Sequence, residues 1–145
     1  MKIIEAIHGI DTVKPNSYDQ SQKIKWLNTL DGIIKNEIID THEGREAVEF
    51  NGYTDETDLT TELLVSAPYD DIYIRYLEMQ IDYANGEYGK YNNTKVMYNE
   101  TYSAFERYYN RTHMPIGKKF KYFDKPKTPE YQAANAVAKV TIEED

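Results

Sequence analysis

PYDDIYIRYLEMQIDYANGEYGKYNNTKVMYNETYSAFERYYNRTHMP, residues 68–115, decides the fold of this chain. It holds two tyrosine-rich segments bracketed by prolines. In the first, Tyr69, Tyr73, Tyr76 and Tyr83 recur at steps of four, three and seven. In the second, Tyr98, Tyr102, Phe105 and Tyr109 recur at steps of four, three and four. Those steps place each set on one face of an α-helix. Between them, Asn85-Gly86-Glu87-Tyr88-Gly89-Lys90-Tyr91-Asn92 reads as a helix stop and restart. The predicted unit is an antiparallel helical hairpin with an aromatic seam, its second helix running from about Asn93 to Thr112. Behind the tyrosines, Ile74, Leu77, Ile81 and Ala84 form a second apolar face. The first hairpin helix is therefore expected to be covered on both sides, either in the middle of a bundle or at a subunit contact.

Upstream of the hairpin, Ile3, Ile4, Ile7 and Ile10 form a short helical stripe that Pro15 ends. Ser17-Tyr18-Asp19-Gln20 reads as a capping box with Ser17 as the cap. The helix it opens extends to about Asp40, with Ile24, Leu27, Leu30, Ile34 and Ile38 facing inward and Lys23, Lys25, Lys35 and Asn36 facing water. Trp26 and Ile33 add a second apolar ridge. Residues 41–66 are irregular. Ala47-Val48-Glu49-Phe50 alternates as a short strand would, and Leu63-Leu64-Val65 is either its partner or an anchor pinning the loop to the helices. Pro68 is placed at or near the first position of the hairpin, with Asp70 and Asp71 against the helix dipole.

Beyond Gly117 the composition changes. Lys118, Lys119, Lys121, Lys125 and Lys127 surround Phe120, Tyr122 and Phe123, and the chain ends on Glu143-Glu144-Asp145. This stretch reads as an arm, with Lys118, Lys119, Phe120, Lys121, Tyr122 and Phe123 as its partner-contact residues. The expected architecture is a mainly α-helical domain over residues 1–116, built as a small bundle around the central hairpin, with a long irregular loop that leaves room for a short β-hairpin. Residues 117–145 form the C-terminal arm.

At 145 residues the chain suits one domain with a real core. A hydrophobic fraction of 40% and a charged fraction of 29% are those of a water-soluble globular protein. No apolar run approaches the length of a membrane span, and the acidic N-terminal segment lacks the pattern of a signal peptide. Zero cysteines remove disulfides, thiolate metal sites and thiol nucleophiles, and suit a reducing cytoplasm. A net charge of −8 opposes wrapping of nucleic acid, which needs a basic footprint.

His8, His42 and His113 share no metal-ligand spacing, and His42-Glu43 reads as a polar helix terminus. The carboxylates of Asp70 and Asp71 suit a helix first turn better than a convergent acid pair. No phosphate loop or nucleophile elbow is present. The reading is of a non-enzymatic protein without metal or cofactor. Its candidate residues serve packing and interfaces: Trp26 and the two ring sets of the hairpin.

Four stretches carry a family resemblance. Lys25-Trp26-Leu27-Asn28 with Leu30-Asp31 and Glu37-Ile38-Ile39 resembles the first helix of small proteins from phages and prophages of Gram-positive bacteria. Ala67-Pro68-Tyr69-Asp70-Asp71 with Tyr76-Leu77-Glu78 resembles their second signature. Ile81-Asp82-Tyr83-Ala84-Asn85-Gly86-Glu87-Tyr88 and Tyr108-Tyr109-Asn110-Arg111-Thr112-His113-Met114-Pro115 resemble the third and fourth. In size, helical layout and charge the chain is similar to head–tail connector (adaptor) proteins of long-tailed phages. That resemblance implies a homo-oligomeric ring below the portal, contacts with portal and tail-completion proteins, and DNA passing through without specific binding. It implies no membrane, and a place in the host cytoplasm during assembly and then in the virion. Two other readings compete: a prophage regulatory or protein-binding module acting as monomer or dimer, and a DNA-packaging accessory gripping DNA through its basic arm.

Overall fold

The computed structural model describes residues 1–117. Four α-helices form a bundle: α1 (Ile3–Val13), α2 (Gln20–Glu37), α3 (Asp71–Ala84) and α4 (Tyr88–Thr112). The protein is mainly helical, as the periodicities require. The arm and its residues Lys118, Lys119, Phe120, Lys121, Tyr122 and Phe123 lie outside the described residues.

α1 buries Ile3, Ala6, Ile7 and Ile10 and ends ahead of Pro15. Its first amides have partners from the long loop: Ile3 N–H donates to the Thr61 carbonyl (3.1 Å) and Ile4 N–H to Leu59 (3.0 Å). Residues 59–63 therefore cap α1 from the loop, beside the local cap in which Glu5 accepts from Lys2 N–H (2.8 Å). Gly9 lets α1 lie close to α3, since a Cβ there would sit 2.8 Å from Ile74 Cδ1.

The cap of α2 is Asp19, not Ser17. The Asn16 side chain accepts from Tyr18 N–H (3.1 Å), so residues 16–18 are held in a turn and the helix starts later. Asp19 then accepts from Gln22 N–H at 2.8 Å. Ile24, Leu27, Leu30, Ile34 and Ile38 are all buried, with Trp26 and Ile33 half-buried beside them. Lys23, expected toward water, is buried: its stem runs inward and its ammonium meets Asp11 of α1 at 2.6 Å. α2 gives way after Glu37 to a 3-10 turn over Ile39–Thr41.

The expected strand at 47–50 does not form. A second 3-10 turn covers Arg45–Ala47, and the described residues hold only isolated bridges, Lys2 with Glu62 and His42 with Pro115. Leu63 and Val65 act as anchors, buried in the common core.

α3 occupies the middle of the bundle, touching α1, α2 and α4. Pro68 does not open it. Tyr69 N–H closes a turn onto the Ser66 carbonyl (3.0 Å), and the helix begins only at Asp71. Its expected second face holds at Leu77 and Ile81, whereas Ile74 is half-buried and Ala84 exposed. The link to α4 is only residues 85–87, and α4 starts at Tyr88, five residues before the sequence reading put it. Gly86 explains the economy: at φ +72° it reverses the chain at once, and its N–H returns to the Tyr83 carbonyl at 3.0 Å.

The seam divides the tyrosines in a way their helical steps did not show. Tyr69 stacks on Tyr108 (4.6 Å) and reaches Phe105 (6.3 Å), Tyr76 meets Tyr98 (5.2 Å), and Tyr83 meets Tyr91 (5.3 Å). From Tyr69 through Tyr76 to Tyr83 the chain advances by seven as the partners Phe105, Tyr98 and Tyr91 retreat by seven along α4, the register of two antiparallel segments. Tyr73 is not part of this seam. It is fully buried on the other side of α3, against α2. Tyr83, at the hairpin tip, is 56% exposed.

Removing the buried Tyr76 ring should cost about 3 kcal/mol, whereas Tyr83→Ala at the wet tip should cost less than about 1 kcal/mol. Urea unfolding of the two variants, compared at constant slope, checks this contrast. Equal midpoints would refute the seam as the hairpin's source of stability.

Candidate functional site

Four polar or charged side chains, Lys23, Asp31, His42 and Asp82, lie buried in the bundle. Asp31, on α2, shares the buried stripe with Leu27, Leu30 and Ile34 and has no exposed surface. Its carboxylate accepts from the Tyr53 hydroxyl (2.6 Å), the Tyr73 hydroxyl (2.7 Å) and Leu64 N–H (3.2 Å). Tyr73 oxygen in turn accepts from Val65 N–H at 2.7 Å. Burial pushes the Asp31 carboxyl up despite these three donors, and burial beside Asp31 pushes both phenols far above their ordinary range. A carboxylate so enclosed has no path to a substrate. It joins α2, the long loop and α3.

Asp82 does the same at the other end. It accepts from the Lys14 ammonium after α1 and from the Thr94 hydroxyl (3.1 Å) on α4. His42 is buried rather than a polar terminus: Nδ1 meets the Ile38 carbonyl (2.5 Å) and Nε2 the side-chain amide of Asn110 (2.7 Å). Its ring lies edge-on to Tyr109 at 4.9 Å, tying the end of α2 to the end of α4. Among the described residues no group of three His, Asp or Glu side chains is placed to hold a metal, and no helix is long and apolar enough to cross a membrane.

The candidate packing residues separate by what they touch. Tyr69, Tyr76, Tyr98 and Phe105 form the seam, with Tyr109 buried at its end against His42. Tyr73 belongs to the Asp31 cluster, and Tyr102 reaches across to α2, its hydroxyl donating to Glu37 at 2.7 Å. Trp26 packs edge-on to Tyr18 (5.4 Å) at the margin of the core. Tyr83 alone opens to solvent.

Among the described residues, four of the seven exposed large apolar side chains are on the hairpin. α4 runs for 25 residues yet fully buries only Phe105 and Tyr109. It exposes Tyr88 (61%), beside Tyr83 at the tip, and two turns further on Val96 (58%) and Met97 (40%). Val96, Asn99, Glu100, Ser103 and Arg107 line a shallow trough along the same helix. The sequence reading passed over Val96 and Met97, although two apolar residues off the seven-residue register of the seam were the available signal. It also passed over Asp31, whose place at i+4 from Leu27 on an apolar stripe marks a buried acid. Compared with known protein families, with curated proteins and with solved structures, the chain matches none.

Asp31→Ala should cost about 3 kcal/mol, because it strands three buried donors. The pH dependence has a definite sign. A folded-state pKa above the ordinary 3.8 means that this group adds stability at low pH and loses it as pH rises through the raised value. Measured against Asp31→Asn, wild-type stability should therefore decline from pH 4 upward and then level off. A difference that stays flat across that range would show that burial does not dominate at Asp31.

Proposed function

We propose that this chain is a non-enzymatic virion assembly protein of a phage or prophage, acting as a head–tail connector subunit that assembles into a ring below the portal. The observation that carries the reading is α4: a helix of 25 residues with two buried positions and exposed apolar side chains at Tyr88, Val96 and Met97. Exposed apolar groups gathered on one element mark a contact surface. A ring needs one face of a subunit to meet a different face of the next, and a hairpin projecting its own uncovered side supplies one of the two. The sequence resemblance of the four motif stretches points the same way. A net charge of −8 suits a channel wall past which DNA slides without sticking. Partners on this reading are further copies of the chain, the portal and the tail-completion protein.

Light scattering across a wide concentration range, repeated with portal added, tests the proposal. The expected result is a discrete species of many subunits, or a portal complex. Val96→Glu with Met97→Glu should reduce assembly tenfold or more while leaving the melting temperature unchanged. A wild-type chain that stays monomeric at every concentration and ignores the portal would transfer the assignment to a regulatory, protein-binding module.

A further inference from the structure

Each seam ring of α4 has a counterpart two residues earlier: Val96, Glu100, Ser103 and Arg107 precede Tyr98, Tyr102, Phe105 and Tyr109. Two residues are a little over half a turn, so these four share a stripe on the opposite side of the helix. With Asn99 they line the shallow trough. Val96, Glu100, Arg107 and Arg111 are exposed, and Ser103 and Ala104 are half-buried. Among the described residues Glu100, Arg107 and Arg111 have no ion pair. Their order along the stripe is specific. An acid is followed two turns on by a base and one turn later by another, and Ser103 and Ala104 stand midway between Glu100 and Arg107. α4 as a whole carries Lys90, Lys95, Arg107 and Arg111 against Glu100 and Glu106, an excess of cations in a chain of net charge −8. A second copy of this acidic chain is therefore not repelled here.

We propose that α4 pairs with α4 of a second copy, antiparallel, about a two-fold axis that crosses the helix between Ser103 and Ala104. That axis sets Glu100 against Arg107 of the second copy and, by symmetry, Arg107 against its Glu100. Arg111 of the second copy falls opposite Val96, where its aliphatic stem covers the exposed side chain and its guanidinium reaches toward Glu100. Small side chains at the axis let the two helices approach to about 8–10 Å. A parallel pair is opposed by the same residues, since it would set Glu100 on Glu100 and Arg107 on Arg107. One helix laid on one helix buries less than the roughly 1,200 Å² of a standard interface, so the pair is weak and reversible.

The inference rests on reading the uncovered side of α4 as a contact surface, and it adds a constraint to the assembly reading. A two-fold contact closes on itself, whereas a ring needs a face left open to the next subunit. A paired chain has no α4 free for a ring, so pairing holds subunits back until the portal competes for the same face. The pairing itself does not require the phage assignment.

Sedimentation of the full chain across a wide concentration range tests the pairing against its own charge pattern. The expected species is a dimer. Glu100→Arg and Arg107→Glu should each weaken it tenfold or more with the melting temperature unchanged, because both side chains are exposed. An equimolar mixture of the two variants should recover pairing, since each Glu at these positions then faces an Arg. The chain carrying both substitutions should recover it as well. Weakened single variants with no recovery in either form would overturn the proposal and place α4 against a different face of the next copy. A wild-type chain that is monomeric at every concentration would also overturn it. Portal binding is measured separately on the wild-type chain. Dimers restored by the charge exchange that never engage the portal sustain the pairing and sink the connector reading. Rings or portal complexes from a chain that shows no pairing do the reverse.

Discussion

A single enclosed carboxylate sets the geometry of this bundle. Burying a charge without partners is among the costliest things a small protein can do, so Asp31 tolerates only arrangements that bring donors to it. It receives two phenols and an amide from three places: the loop at Tyr53, the loop at Leu64 and α3 at Tyr73. The register of α3 on α2 and the path of an otherwise irregular segment are therefore answers to the same electrostatic demand. The chain has no disulfide to hold that loop, and the carboxylate takes the place of one. Asp82 repeats the solution where α1, α3 and α4 converge.

The hairpin is organised by a different principle. Its seam is built from tyrosines, whose rings supply apolar area while their hydroxyls reach for polar groups at the margin. Tyr102 of α4 finds Glu37 of α2 at 2.7 Å. A phenylalanine seam would be drier and would end abruptly at solvent. A tyrosine seam can grade from buried at Tyr76 to open at Tyr83. The wet end is also where the exposed side chains of α4 begin, so the same composition that stabilises the hairpin leaves it with a surface suited to a half-hydrated contact.

What the sequence disclosed follows from which forces are local. The four helices were legible because apolar period is carried by the chain itself, and the apolar positions of the α2 stripe from Ile24 to Ile38 were all read, though not Lys23 and Asp31, which are buried with them. The pairing of the helices was less so. Helical steps put Tyr73 in line with Tyr69 and Tyr76, yet a stripe one residue wide cannot say which neighbour it faces, and the acid that claims Tyr73 lies 42 residues away. The missing strand at 47–50 and the late start of α3 share one cause: alternation and proline position are local cues, and long-range anchors at Asp31 and α4 outweighed them. Ser17 lost its capping role to a turn made by Asn16, a competition between two equally local motifs. The contact surface was legible only as a remainder, in residues such as Val96 and Met97 that no internal partner explains.

The seam carries a less obvious property. Each of its pairs joins a residue of α3, or Tyr69 just ahead of it, to one of α4, and nothing in the rings themselves specifies that both helices belong to one molecule. That assignment is made by residues 85–87, where Gly86 takes a backbone angle that other residues rarely adopt. Without such a hinge, two helices of matching register and opposite direction could run on as one continuous rod and be completed by a rod from elsewhere. The identity of the fold as a self-contained object thus rests on one rotation about a main-chain bond, and the aromatic contacts merely ratify it.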